Sequence, residues 1–206
     1  GWEVAQRKSL LKNNCNGTFT DVTVEAGLAT PVTATQTAAW TDIDNDGFLD
    51  LFIGNEDSPS QMFLNKGGMR FEDISHQAHV DRLSFAKAVT AGDYDNDGYP
   101  DLYVSNYDGP NILYHNNRDN TFTDVTQKAG VPGSGRGFAA WFFDYDNDGW
   151  PDLFATSYFM STDETARTYL GLPHNATTLK LYRNRGNGTF RDLTVDVGLN
   201  KVFMPM

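Results

Sequence analysis

The stretch that decides the fold is Asp42-Ile43-Asp44-Asn45-Asp46-Gly47-Phe48-Leu49-Asp50, because the chain of 206 residues contains two further copies of it. These copies span residues 93–101 and 144–152, and the first aspartates of successive copies are 51 residues apart. We call the three stretches the first, second and third aspartate loops and number their residues from 1 to 9. A fixed period of about 50 residues indicates stacked supersecondary units.

Each aspartate loop lies among short runs of aromatic and β-branched residues bounded by Gly, Asn, Asp and Pro, a composition typical of strands and turns. An apolar run precedes the loop and another follows it. A Phe/Leu/Tyr run ending in Asn comes next, and the unit closes with a Phe-x-Asp pattern such as Phe71-Glu72-Asp73. Four strands in about 50 residues match a β-propeller blade, and an open solenoid is the alternative.

We therefore predict an all-β chain, a β-propeller segment spanning 1–206 that holds about 3.5 four-stranded blades. The repeat units are expected at about 39–75, 89–126 and 140–194, with a half blade at 8–23 and an insertion at 157–178. Helix is expected to be minor. It is limited to single turns near 24–28, 126–131 and 194–199 and to a helix at 162–170 inside the insertion.

The aspartate loops have the composition of a site for a hard cation. Carboxylates at positions 1, 3, 5 and 9 and the main-chain carbonyl of position 7 can surround an ion, while Gly at position 6 permits the turn. The expected ligands are Asp42, Asp44, Asp46, Phe48 and Asp50; Asp93, Asp95, Asp97, Tyr99 and Asp101; and Asp144, Asp146, Asp148, Trp150 and Asp152. Asp-Asn-Asp-Gly also occurs as a plain turn, but three copies at a fixed spacing favour metal.

The metal predicted for these three sites is Ca²⁺. Four carboxylates and a carbonyl form a flexible cage of high coordination number, whereas Mg²⁺ tends to keep its waters. No histidine or cysteine close in sequence supports zinc. The loops are not EF-hands, because the residue at position 12 is apolar and not glutamate.

The charge balance agrees with this prediction and limits the partners. The formal net charge is −11, and the loops hold 12 of the 27 acidic side chains, so three Ca²⁺ would change the charge to −5. An acidic chain is a poor partner for nucleic acid. The longest apolar run, 138–143, has six residues and is too short for membrane insertion. The single cysteine, Cys15, excludes an intramolecular disulfide.

Other candidate residues have ordinary interpretations. The four histidines, His76, His79, His115 and His174, match no metal or catalytic motif, and a nucleophile elbow is absent, so no enzyme is predicted. The tryptophans Trp40, Trp141 and Trp150 are expected to pack between blades, with stacking on sugars as the alternative. The insertion either folds back over a neighbouring blade or presents Tyr158, Phe159, Tyr169 and Leu170 to a partner.

The combination of Asp144-Tyr145-Asp146-Asn147-Asp148-Gly149 with Leu181-Tyr182-Arg183-Asn184 and Gly188-Thr189-Phe190 resembles the FG-GAP/VCBS repeat of integrin-α-type propellers. This variant of the repeat resembles the ASPIC/UnbV (cartilage acidic protein-like) family. This resemblance implies a propeller of about seven blades, calcium in each aspartate loop and an extracytoplasmic location (secreted, periplasmic or cell surface). It implies that the loop carboxylates serve structure and adhesion.

The predicted function is accordingly a calcium-binding scaffold or adhesion module. The alternative is a lectin-like, carbohydrate-binding propeller or a non-catalytic part of a polysaccharide-active enzyme, with glycan as the ligand. An open arc of blades would leave apolar faces in water. We therefore expect the partner to be another protein or the rest of a longer propeller chain.

Overall fold

The computed structural model describes residues 7–157, 162–173 and 179–200. The strands in chain order are β1 (Leu11–Asn13), β2 (Phe19–Asp21), β3 (Ala34–Thr41), β4 (Asp50–Glu56), β5 (Ser58–Pro59), β6 (Gln61–Asn65), β7 (Phe71–Asp73), β8 (Leu83–Ser84), β9 (Ala86–Gly92), β10 (Asp101–Asn106), β11 (Ile112–Asn116), β12 (Phe122–Asp124), β13 (Gly137–Phe143), β14 (Asp152–Ser157), β15 (Lys180–Asn184) and β16 (Phe190–Asp192). Two helices, α1 (Thr126–Ala129) and α2 (Thr162–Tyr169), complete the described elements.

Three four-stranded antiparallel sheets dominate the structure. The first sheet has the order β3-β4-β6-β7, the second β9-β10-β11-β12 and the third β13-β14-β15-β16. The strands β1 and β2 form a hairpin where the half unit was predicted, and the unpredicted pair β5-β8 joins the first sheet to the start of the second. Four strands per repeat unit are thus confirmed. The strand before each loop begins earlier than expected, because its pairing continues past an irregular register.

The sheets pack against one another through their first and second strands. The strand β4 is buried along its whole length, and its side chains alternate between two apolar clusters. Phe52 packs with residues of the second sheet, whereas Leu51 and Ile53 pack with residues that follow the β1–β2 hairpin. In the same way Tyr103 of β10 packs against the third sheet. Alternation of side chains along a strand therefore places β4 and β10 each between two apolar clusters.

The helices are short, as expected. The predicted turn at 126–131 contains α1, which ends at Gly130 in the left-handed conformation. The stretches 24–28 and 194–199 form hydrogen-bonded turns and no helix. The predicted helix at 162–170 is confirmed as α2. Within the described ranges, no helix is both long and apolar enough to cross a membrane.

Candidate metal centres in the aspartate loops

Each aspartate loop connects the first and second strands of its sheet and folds around the carboxylate at position 1. Asp42 accepts hydrogen bonds from the main-chain N–H groups of Asp46 (3.1 Å) and Gly47 (2.9 Å). Asp93 and Asp144 accept the equivalent pairs in the other loops. Glycine at position 6 has a positive φ in all three loops, +89° at Gly47, which a side chain would strain.

The carboxylate at position 9 is completely buried and ties the loop to the rest of its sheet. Asp50 accepts main-chain N–H groups from Ile43 and Asn65, both at 2.8 Å. Asp101 and Asp152 make the same two contacts in their own sheets. This second role, a buried acceptor for two strand ends, was not predicted from the sequence, which assigned position 9 to metal alone.

Three carboxylates converge in every loop. The oxygens of positions 1, 3 and 9 lie within 4.8 Å of one another. These groups are Asp42, Asp44 and Asp50; Asp93, Asp95 and Asp101; and Asp144, Asp146 and Asp152. Position 5 is placed differently, because each of Asp46, Asp97 and Asp148 accepts the N–H of its own position 7 and lies outside these groups. The position 7 carbonyls of Phe48, Tyr99 and Trp150 stay predicted ligands.

The electrostatics of the groups favour a cation. Burial raises the pKa of Asp50 to about 6 and that of Asp101 to about 8, and the charges of neighbouring loop carboxylates add to both shifts. Burial also raises the pKa of Asp152. Two buried oxygens, Asp44 Oδ1 and Asp95 Oδ1, have no hydrogen-bond partner. Converging carboxylates with unused oxygens fit a hard divalent ion, so these clusters can bind a metal.

One histidine departs from the ordinary role predicted for it. His115 Nδ1 lies 3.3 Å from Asp101 Oδ1 and 3.4 Å from Asp95 Oδ2, and it forms a further candidate group with Asp95 and Asp97. The sequence analysis did not predict this proximity, because His115 is distant from the second loop in sequence and close to it only in space. A signal existed, since His115 immediately precedes the repeated asparagine, here Asn116. His174 lies outside the described residues.

Asparagine side chains link successive loops. Asn45 Nδ2 donates to the carbonyl oxygen of Gly98 at 2.9 Å, and Asn96 Nδ2 donates to that of Gly149 at 3.0 Å. Both asparagines occupy position 4, and both acceptors occupy position 6 of the next loop. The three loops therefore form one hydrogen-bonded row at the strand ends where the first and second strands of each sheet are connected.

Repeated four-stranded sheets with an acidic cluster between the first and second strands define a class of all-β repeat proteins. A family model described as an FG-GAP-like repeat matches residues 42–104 and 93–155, which together span more than half of the chain. The chain belongs to the FG-GAP-like repeat family.

Related proteins resemble this chain over part of its length. Cartilage acidic protein 1 of Mus musculus is 28% identical over 148 residues, which cover 65% of this chain and 22% of that protein. Cartilage acidic protein 1 of Xenopus tropicalis is 34% identical over 111 residues, covering 52% and 17%. The chain thus spans about a fifth of the length of these relatives. Among solved structures, an Agrocybe aegerita lectin described as recognising non-reducing terminal N-acetylglucosamine has a TM-score of 0.47 and 18% identity, covering 91% of this chain and 46% of that one.

Proposed function

We propose that this chain is a calcium-binding segment of a β-propeller and that it serves as an extracytoplasmic scaffold or protein-interaction module. The observation that carries the proposal is the convergence of carboxylates at positions 1, 3 and 9 of all three loops, with buried oxygens of Asp44 and Asp95 left without partners. Calcium is the ion that such flexible, oxygen-rich sites select. Affinities of roughly 10⁻⁵ to 10⁻³ M would suit the calcium concentration outside cells.

The exposed face of the third sheet supports a propeller that continues beyond it. Phe154 of β14 occupies the position of Phe52 and Tyr103, which are completely buried against the next sheet. Beside Phe154 lie Trp141 and Phe143, which are 43% and 37% exposed. This apolar face therefore has the composition that the first two sheets use for packing. We infer that its rings pack against a further blade, supplied by the same polypeptide or by a protein partner.

The hydrogen bonds that join the loops support a scaffold role. Ions bound in the row of loops would neutralise clustered carboxylates at points where neighbouring sheets are already hydrogen-bonded. Binding to the native state alone would stabilise the chain by about 1 to 3 kcal/mol per site at saturating calcium. The ion-bound loops would then make the chain rigid, and the surfaces between and around the loops would bind the partner. Nothing in this role requires a catalytic group.

Isothermal titration calorimetry with Ca²⁺ tests the proposal. The expected result is three sites per chain, with one site lost in each of the variants Asp44→Asn, Asp95→Asn and Asp146→Asn. Asp196→Asn is the matched control, because Asp196 pairs with Arg191 at 2.7 Å, away from the loops, and its loss should leave three sites. Absence of binding, or three sites in all the variants, would contradict the proposal.

A further inference from the structure

The three aspartate loops differ in the cations that the chain itself places beside them. Among the described residues, no lysine, arginine or histidine lies within ion-pair distance of the first loop's carboxylates. In the second loop, Arg118 Nη2 lies 2.8 Å from Asp97 Oδ2, and the imidazole of His115 lies 3.3 Å from Asp101 and 3.4 Å from Asp95. In the third loop, Arg183 Nη2 lies 2.8 Å from Asp146 Oδ2 and 3.1 Å from Asp148 Oδ2. Loops that are nearly identical in sequence thus have different electrostatic surroundings.

We propose that Arg118 and Arg183 are tethered counter-ions that grade the loops in calcium affinity, so that the first loop binds most tightly and the other two more weakly. This proposal rests on the proposed function, because it concerns the same three sites.

Arg183 should lower the calcium affinity of its loop more than Arg118 does. Its guanidinium bridges the position 3 and position 5 carboxylates of the third loop, and Asp146 belongs to the converging group. An incoming divalent ion must either displace the guanidinium or bind with a positive charge close by, and both are unfavourable. About half of the Arg183 side chain is exposed, at 45%, so solvent screens the pair and the effect stays moderate.

Arg118 acts on the second loop from a different element. It lies in the turn after β11 with φ +67°, at a position occupied by Gly67 and Gly186 in the other two units. Its guanidinium contacts Asp97 Oδ2 at 2.8 and 2.9 Å and lies 5.7 Å from the ring centre of Tyr99, and no ion pair joins it to a member of the group formed by positions 1, 3 and 9. We therefore expect a smaller effect than that of Arg183.

The first loop has no room for such a counter-ion at the equivalent strand position. Leu64 of β6 stands where the third sheet has Arg183, and it is buried in the apolar cluster between the first and second sheets. An apolar side chain packed there cannot screen the carboxylates. The first loop therefore has the largest uncompensated negative charge and the strongest attraction for a divalent ion.

Site-resolved titration tests the grading. The position 6 glycines Gly47, Gly98 and Gly149 each report one loop through their amide signals in a ¹H–¹⁵N correlation spectrum recorded during addition of Ca²⁺. The expected order of midpoints places Gly47 at the lowest concentration. Arg183→Leu should lower the Gly149 midpoint by about three- to tenfold and leave the Gly47 midpoint unchanged. Arg118→Gly should lower the Gly98 midpoint by less.

The matched control is Arg191→Leu. Arg191 is the cross-strand neighbour of Arg183 and pairs with Asp196, so its loss changes the net charge equally without touching a loop. Equal midpoints for all three glycines, or a shift of Gly149 in the control as large as in Arg183→Leu, would overturn the grading and leave the calcium proposal intact. A lack of response from all three glycines would overturn both. The same spectra show whether each variant is folded.

Discussion

The side-chain amide of Asn184 donates a hydrogen bond to the main-chain carbonyl of Tyr94 at 2.7 Å, which joins the third sheet to the aspartate loop of the second. Asn116 donates in the same way to the carbonyl of Ile43 at 2.9 Å, between the second sheet and the first loop. Tyr94 and Ile43 are both position 2 of their loops. The asparagine that ends the third strand of these sheets thus fixes the loop of the preceding unit.

Replacing Asn184 with alanine should destabilise the chain by about 2 to 3 kcal/mol. The variant removes two donated bonds, and it leaves the buried carbonyl of Tyr94 and the part-buried carbonyl of Pro151 without this donor. Urea unfolding followed by circular dichroism measures the change. The matched control is Asn187→Ala in the following turn, where an exposed side chain accepts hydrogen bonds from Thr189. An equal loss of stability in both variants would contradict the linking role.

Removing the charge of Asp95 should have opposite effects with and without calcium. Burial and the charge of Asp97 raise the pKa of Asp95, so ionised Asp95 destabilises the folded chain relative to the unfolded chain. In chelator, Asp95→Asn should therefore raise the melting temperature. In calcium, the same variant should lower it, because one site is lost. Differential scanning fluorimetry under both conditions measures the reversal.

The control for this reversal is Asp119→Asn in the same unit. The hydroxyl group of Thr121 stabilises ionised Asp119 and lowers its pKa, so this variant should not be stabilised in chelator. A rise in melting temperature for Asp119→Asn equal to that of Asp95→Asn would show that net charge, and not the loop, is responsible.

The insertion should be dispensable for folding. The described part of α2 and the residues after it are largely exposed, with Tyr169 and Leu170 at 74% and 71%, so little of it packs on the sheets. Tyr158 and Phe159 lie outside the described residues. Replacing residues 160–175 with a short Gly/Ser turn should change the free energy of unfolding by less than about 1 kcal/mol. Loss of cooperative urea unfolding would instead assign the insertion to the core.

The repeating strands could be predicted because each unit contains the same turn-forming residues at the same positions. Gly and Asn at fixed places, such as Gly47 and Asn45, and an apolar run on either side of the loop determine local structure. These signals act within about ten residues of one another, where a sequence pattern is informative. The four strands of each unit followed from them, whereas the half blade at 8–23 stays a prediction.

Contacts between units could not be predicted in the same way. The bond from Asn45 to the carbonyl of Gly98 joins residues 53 positions apart, and it depends on how two sheets are oriented. The same holds for His115 and Arg183, whose proximity to loop carboxylates is set by the strand pairing of their sheets. The buried structural role of Asp50 was hidden for a different reason. A carboxylate that accepts main-chain N–H groups has the same sequence signature as one that binds metal.

The thermal unfolding midpoint of the 206-residue chain in millimolar Ca²⁺ and in chelator is the most direct test of the central claim, that the aspartate loops hold calcium. Binding at three sites should raise the midpoint by about 6 °C or more, because each site adds about 1 to 3 kcal/mol. Mg²⁺ at the same concentration should give a much smaller rise, since it gives up its waters reluctantly. The same midpoint in calcium and in chelator would contradict the account.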